Sequence, residues 1–152
     1  MTVGRRTIQT RQMNIRTFVH KLTEAEFLIP SFQREFVWRP EDIIRLWDSL
    51  YRFYPIGSIL YWKTDIRLHI HRELGGWILP DCDTRTREQK KWVYILDGQQ
   101  RATSLLVSLF GLKTRGGGGK PFDDALFFDA ATGACFFSGA DQDGRDTPTF
   151  KA

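Results

Sequence analysis

The residues best suited to chemistry stand where a predicted strand gives way to a predicted helix, in the run D-G-Q-Q-R from Asp97 to Arg101. The first N–H groups of a helix lack internal acceptors and carry partial positive charge, so this position favours an anion. Gly98 lets a ligand approach the backbone closely. The amides of Gln99 and Gln100 can donate hydrogen bonds, and Arg101 adds a charged fork. These properties indicate a phosphate-binding turn. The alternative is a plain Asp97-Gly98 turn followed by a solvated Arg101.

A second candidate is the segment from Pro30 to Pro40, in which aromatic residues alternate with polar ones. Aromatic rings can stack on a nucleobase while a guanidinium meets phosphate. The alternative is that the rings pack into the core and only the arginine reaches solvent. Because side chains alternate along a strand, an extended segment would place four of these residues on one face: Phe32, Arg34, Phe36 and Trp38.

The elements that must position these residues are predicted from hydrophobic spacing and from caps. Helices are expected after the capping residue Asn14, from Pro40 to just before Pro55, and over residues 102–110. Residues 75–91 are interpreted as a surface excursion and 115–120 as a flexible tip. Strands are expected at 27–29, 58–64, 66–71 and 92–96, the last buried on both faces, with a hairpin of 125–129 and 134–138.

The composition limits the class of protein. The chain has 152 residues, 22 Lys and Arg against 18 Asp and Glu, and 41% hydrophobic residues. This length suits one folded domain, and the hydrophobic content excludes a wholly disordered chain. The sequence has no membrane-spanning run and no secretory signal. Its two cysteines lie far apart, which is typical of the reducing cytoplasm. We expect a flexible basic arm at 1–13, a domain at 14–138 and a frayed tail at 139–152.

Other patterns point to no further chemistry. The glycine run at 116–119 lacks the spacing of a P-loop, because Pro121 stands where Ser or Thr should follow the lysine. His69 and His71 would share a strand face, but no third ligand follows from spacing, so two exposed histidines are the simpler interpretation. The sequence therefore predicts no protein metal site.

Three ordered blocks resemble the N-terminal domain of GmrSD-type restriction enzymes, a ParB/sulfiredoxin-like family. The resemblance extends over about residues 15–112, and the stretch from Leu126 to Phe137 matches weakly. It implies an α+β fold with a mixed sheet and packed helices. The blocks are I-P-S-F-Q-R-E-F-V-W at 29–38, Y-P-I-G-S-I-L at 54–60, and L-D-G-Q-Q-R at 96–101 followed by Thr103, Ser104 and Leu105.

This resemblance implies a nucleotide-binding regulatory domain of a modification-dependent restriction system in phage defence, with NTP and Mg²⁺ as cofactors and a capacity for NTP hydrolysis. Asp97 and Arg101 are the expected catalytic residues. An HNH-type nuclease domain, C-terminal or separate, is the expected partner, since this chain ends at residue 152 and no nuclease activity is expected of it. The expected phosphate-binding or nucleotide-binding residues are Gly98, Gln99, Gln100, Arg101, Thr103, Gln33 and Arg34.

Two other functions stay open on the sequence. One is a ParB-like DNA-binding module without hydrolysis, in which the basic arm with Arg5, Arg6, Arg11 and Arg16 lies along phosphates. The other is a degenerate remnant or interaction module, in which the D-G-Q-Q-R run only packs the fold.

Overall fold

The fold is an α+β arrangement of three helices and short strand pairs, seen in a computed structural model that describes residues 8–81, 91–110, 114–115, 121–122 and 126–137. The predicted α+β class is therefore confirmed. The helices are α1 (Ile15–Thr23), α2 (Pro40–Tyr51) and α3 (Gln99–Phe110). The strands are β1 (Leu60–Thr64), β2 (Glu73–Leu74), β3 (Trp77–Ile78), β4 (Trp92–Asp97), β5 (Thr114–Arg115), β6 (Pro121–Phe122), β7 (Leu126–Asp129) and β8 (Ala134–Phe137).

The first two helices begin where their caps predict. The side chain of Asn14 accepts a hydrogen bond from the backbone N–H of Thr17 at 2.8 Å, which satisfies one free donor of the first turn. Pro40 occupies the first turn of α2, where its missing N–H has no cost. The Asp42 side chain accepts from the backbone N–H of Arg39 at 3.1 Å, closing the start of that helix.

The central sheet contains both strand directions. β4 pairs antiparallel with β1, with Trp62 opposite Tyr94. On its other side, β4 forms a parallel bridge with Leu28, through bonds from Leu28 N–H to the Val93 carbonyl at 2.9 Å and from Ile95 N–H to the Leu28 carbonyl at 2.8 Å. The strands predicted at 27–29 and 66–71 are reduced to isolated bridges at Leu28 and between Pro30 and Ile70. Proline has no N–H to donate, so it limits pairing there.

The core lies around this sheet, where α1 and α3 pack against each other. β4 runs through it, but the expectation of burial along the whole strand is wrong at its end, since Leu96 is 39% exposed. The strand emerges from the core as it approaches the helix start. Fully buried side chains of the core include Leu22, Leu28, Ile43, Tyr94, Ile95 and Leu106.

The surface excursion predicted at 75–91 is partly wrong. β2 and β3 form a hairpin around Gly75 and Gly76, and Leu79 directly after it is buried. Trp77 contacts Phe110 with ring centroids 4.9 Å apart. The prediction failed because the burial of this hairpin depends on the end of α3, which lies far away in sequence. Residues 82–90 lie outside the described part of the chain.

The predictions for the chain's periphery are tested only in part. The C-terminal hairpin is present as β7 paired with β8. Residues 1–7 of the predicted arm, 116–120 of the predicted tip and the whole predicted tail lie outside the described residues. Within the described ranges, no helix combines the length and the apolar character needed to cross a membrane.

The end of α2 holds an aromatic residue in a conformation that favours glycine. Phe53 has φ +58°, its N–H donates to the Leu50 carbonyl at 3.2 Å, and the Tyr54 N–H donates to the Ser49 carbonyl at 2.8 Å. This is a Schellman motif, in which glycine normally occupies the left-handed position. The Phe53 side chain is 95% exposed, so no packing offsets its backbone strain.

Replacing Phe53 with glycine should therefore stabilise the fold. Left-handed backbone costs a residue with a Cβ atom roughly 1–2 kcal/mol, part of which is offset by glycine's greater freedom in the unfolded chain. We expect Phe53→Gly to raise the free energy of unfolding in urea by about 1 kcal/mol. Phe53→Ala is the matched control, since it removes the ring but keeps the strain, and should give no gain. A gain from alanine equal to that from glycine would contradict the backbone explanation.

Candidate functional site

The junction between β4 and α3 has the strand–turn–helix form that the sequence predicts. Gly98 has φ +87°, and its carbonyl accepts the first helical hydrogen bond, from Ala102 N–H at 2.9 Å. A Cβ atom on Gly98 would lie 3.0 Å from Ile59 Cγ1 and 3.1 Å from Arg101 Nη2. Both the backbone angle and the close neighbours therefore require glycine at this turn.

The two glutamines of the motif hold the segment of residues 34–37. Gln99 Nε2 donates to the Arg34 carbonyl at 2.8 Å. Gln100 makes two hydrogen bonds. Its Nε2 donates to the Glu35 carbonyl at 3.0 Å, and its Oε1 accepts from the Val37 N–H at 2.9 Å. The sequence predicted that these side-chain amides contact phosphate, whereas in the structure they bind the protein's own backbone. Gln100 is buried, so its two bonds are also needed to satisfy its polar atoms.

Arg101 holds a different loop, on the other side of the helix start. Its Nη1 donates to the Ile56 carbonyl at 2.5 Å, and its Nη2 donates to the Ser58 carbonyl at 2.9 Å. The same Nη2 lies 3.4 Å from Asp97 Oδ2. Between these two carbonyls, Gly57 has φ +81°, and any Cβ there would clash with Nη1. The Arg101 side chain, only 20% exposed, therefore links the loop of residues 56–58 to the start of α3, and we call this set of contacts the clamp.

A cavity of about 770 Å³ lies beside the start of α3. The segment of residues 34–36 forms one wall, and the stretch of residues 71–76 forms a second wall. The helix contributes Gln99, Gln100 and Thr103. Its volume falls within the range of about 300–1,000 Å³ usual for small-ligand sites. The fold therefore gathers Arg34, Gln99, Gln100 and Thr103, which the sequence predicted, into one cavity wall.

The other predicted site residues have different places. Gln33 ties the walls together, since its Nε2 donates to the Ile95 carbonyl at 2.6 Å and its carbonyl accepts from His71 Nε2 at 2.9 Å. Asp97 and Arg101 do not belong to the cavity lining. The Asp97 side chain is 73% exposed on the clamp side of the junction. Asp97 and Arg101, the two residues expected to be catalytic, therefore lie beside the turn at Gly98 and help to shape it.

The three aromatic residues of the second block do not share one face. The chain turns after Pro30, where the Gln33 N–H donates back to the Pro30 carbonyl at 3.1 Å. Phe32 is 70% exposed, Trp38 packs against the core, and Phe36 lines the cavity. The stacking and core interpretations therefore apply to different residues, with Phe36 alone of the three placed for contact with a cavity ligand.

Sequence reasoning missed the second wall of the cavity. That wall brings His71, Arg72 and Glu73 to the site, followed by Leu74, Gly75 and Gly76. His71 was interpreted as an exposed strand residue, and the glycine pair as part of a surface excursion. The paired glycines between charged and apolar residues were the available signal for a hairpin, but nothing local placed this hairpin in one cavity with residues 34–36.

A second, apolar cavity of about 420 Å³ lies between α2, α3 and the β7–β8 hairpin. Trp47, Tyr51 and Phe128 line it together with Cys135. Burial, with a smaller contribution from the charge of Asp48, raises the pKa of the Cys135 thiol. A thiol with a raised pKa is a poor nucleophile, which agrees with the interpretation of this cysteine as an ordinary side chain.

Comparison with known proteins gives a family match and one similar relative. The profile of the family described as GmrSD restriction endonuclease, N-terminal domain, matches residues 15–148. The chain is also 33% identical over 97 residues to the uncharacterized protein MJ0686 of Methanocaldococcus jannaschii. That similarity covers 64% of this chain and 17% of the relative, so the chain spans only about a sixth of the relative's length.

The clamp geometry predicts that Arg101 is essential for stability. We expect Arg101→Ala to lower the free energy of unfolding by about 2 kcal/mol, because the Ile56 and Ser58 carbonyls lose their donor. Arg101→Lys should recover little, since an ammonium cannot reproduce the planar fork. Arg45→Ala is the control: this exposed arginine of α2 forms an ion pair with Asp42 at 3.6 Å. Urea denaturation giving equal losses for Arg101→Ala and Arg45→Ala would contradict the clamp.

Proposed function

The chain belongs to the family of the N-terminal domain of GmrSD restriction endonucleases, and we propose that the cavity beside α3 is its nucleoside triphosphate site. The observation that carries the proposal is the meeting of the N-terminal turn of α3 with Arg34 and Phe36 in one cavity. A helix N-terminus, a guanidinium and an aromatic ring are together the groups that a nucleotide needs. The second cavity, of about 420 Å³, has a mainly apolar lining that includes no arginine and no helix N-terminus.

The phosphates would bind at the start of α3. Its first backbone N–H groups have no intrahelical acceptors, and the helix dipole adds partial positive charge. Thr103 lies one turn further along α3 and also lines the cavity, and its hydroxyl would be a further donor. Arg34, in the segment of residues 34–36, adds a full positive charge to the cavity lining. Because Gln99 binds the Arg34 carbonyl, the backbone is fixed and the guanidinium remains available to a ligand.

The nucleoside would lie against the apolar part of the cavity. Phe36, Ile29 and Leu74 line it, and an aromatic face contributes about 1–3 kcal/mol per stacked base without strong base preference. Gly75 and Gly76, at the turn of the β2–β3 hairpin, also line it. This arrangement supports binding of a nucleotide and gives no ground for choosing one base.

The cavity also fits a magnesium ion held together with phosphates. Glu35 and Glu73 line it beside the arginines, and Mg²⁺ is usually bound by one or two carboxylates plus substrate phosphate oxygens. No cluster of three or more metal-ligating side chains occurs in the part of the chain that the structure describes. These glutamates would hold the ion, which when bound would neutralise phosphate charge.

We propose further that the bound nucleoside triphosphate is hydrolysed at this site. Phosphoryl transfer asks a protein mainly for placement and charge stabilisation, which Arg34 and the α3 amides can supply. We assign Asp97 and Arg101 to positioning: they keep the junction in shape, and Arg101 has its donors directed at backbone carbonyls. Activity lost on replacing either residue would therefore reflect the position of the helix start.

Within a restriction system, this site would act as a regulatory element. We propose that nucleotide binding here controls cleavage of modified DNA by a nuclease domain, HNH-type by resemblance, located outside this chain. The relative's much greater length is compatible with further domains. DNA binding through Arg11 of the arm and Arg16 at the start of α1 stays a prediction of the sequence.

The test is a titration of the chain with ATP, GTP, CTP and UTP in the presence of Mg²⁺, combined with phosphate release with and without DNA. We expect binding of at least one triphosphate, and Arg34→Ala should weaken it about tenfold, the loss typical of one charge-assisted hydrogen bond. The stability of Arg34→Ala should be unchanged, because the bond from Gln99 uses the backbone carbonyl. Arg45→Ala serves as the matched surface control. Equal affinities of Arg34→Ala and the original chain would refute this site.

A further inference from the structure

We propose that Arg72 is a second phosphate-binding residue of the cavity and that Asp81 competes with the ligand for it. The inference rests on the proposed nucleotide site and specifies how that site discriminates between phosphate chains. Arg72 lies just before the β2–β3 hairpin, outside the three sequence blocks on which the resemblance depends.

The two cavity arginines stand on two wall segments that are bonded to one another. Arg34 belongs to the wall of residues 34–36 and Arg72 to that of residues 71–76. The bond between His71 Nε2 and the Gln33 carbonyl, at 2.9 Å, joins the residues directly preceding each arginine. Nearby, the His71 N–H donates to the Ile29 carbonyl at 2.9 Å. These two bonds fix the segments that carry Arg34 and Arg72 relative to one another.

Arg72 forms an ion pair with Asp81, an acid just beyond the β2–β3 hairpin. Its Nη2 lies 3.7 Å from Asp81 Oδ1, and the two side chains are 54% and 59% exposed. The Leu79 N–H donates to the Arg72 carbonyl at 2.9 Å, which closes the hairpin and brings Asp81 alongside. An exposed ion pair at this distance contributes little free energy. A phosphate, with more charge and a better match to the guanidinium fork, can displace the carboxylate.

Two arginines in one cavity favour a chain of phosphates. A single phosphate bound by Arg34 at the start of α3 leaves Arg72 unused, whereas a diphosphate or triphosphate offers further charged oxygens to Arg72. Glu35 and Glu73 line the same cavity and oppose a phosphate that no cation neutralises. The contact with Arg72 should therefore matter most for the longest phosphate chain bound with Mg²⁺.

The experiment measures the affinities of the full chain and its variants for ATP, ADP and AMP with Mg²⁺, repeated with the guanosine series. We expect Arg72→Gln to weaken triphosphate binding about tenfold and monophosphate binding less than about twofold, as loss of one charge-assisted bond implies. Asp81→Asn should strengthen triphosphate binding about threefold, because it frees the arginine. The double variant should behave as Arg72→Gln alone. Arg45→Gln is the surface control and should change none of these values.

The outcomes separate this inference from the proposed function. If the original chain binds no nucleotide, both fail together. If it binds triphosphate and Arg34→Ala weakens binding, but Arg72→Gln has no effect or weakens all three phosphate lengths equally, only the role of Arg72 is overturned. Unchanged or weaker triphosphate binding by Asp81→Asn overturns the competition, and this variant remains informative even if Arg72→Gln proves unstable in urea.

Discussion

Three consecutive side chains at the start of α3 bind the backbone of two separate loops, and the rest of the site depends on those bonds. Gln99 and Gln100 hold residues 34–37 on one side, and Arg101 holds residues 56–58 on the other. Loops have few backbone partners of their own, so side chains that satisfy their carbonyls fix their position. One helical turn thereby determines both the first wall of the cavity and the approach to β1.

This arrangement changes what the D-G-Q-Q-R run contributes. A glycine turn followed by amides and a guanidinium is suited to bind phosphate, yet here the amides and the guanidinium are directed at the protein. In the proposed nucleotide site, the groups that remain for the phosphates are the backbone N–H groups at the start of α3 and the side chains of Arg34 and Arg72. The motif can thus be essential to an anion site through its effect on shape, because the N–H groups of the turn must be held at a fixed distance from Arg34.

Much of the local structure could be predicted, since it depends on neighbours in sequence. Asn14 and Pro40 mark helix starts through bonds and backbone angles set within one turn. β4 and the turn at Gly98 were likewise evident. The prediction failed at Leu79, which is buried, and along 66–71, where only a bridge forms. In both places the outcome depends on which distant segment lies alongside.

The sequence by itself determined the helices, the central strand, the glycine turn and the resemblance to a restriction-enzyme domain family, because periodicity, caps and motif blocks are local properties of the chain. Only the tertiary structure decided which groups the motif side chains bind, since the partners of Gln99 and Gln100 lie 63–65 residues away. It also brought residues 71–76 into the same cavity as residues 34–36 and so added Arg72 to its lining. Contacts between segments so far apart in sequence depend on how the whole core packs, because the position of each segment is determined by all the segments packed against it.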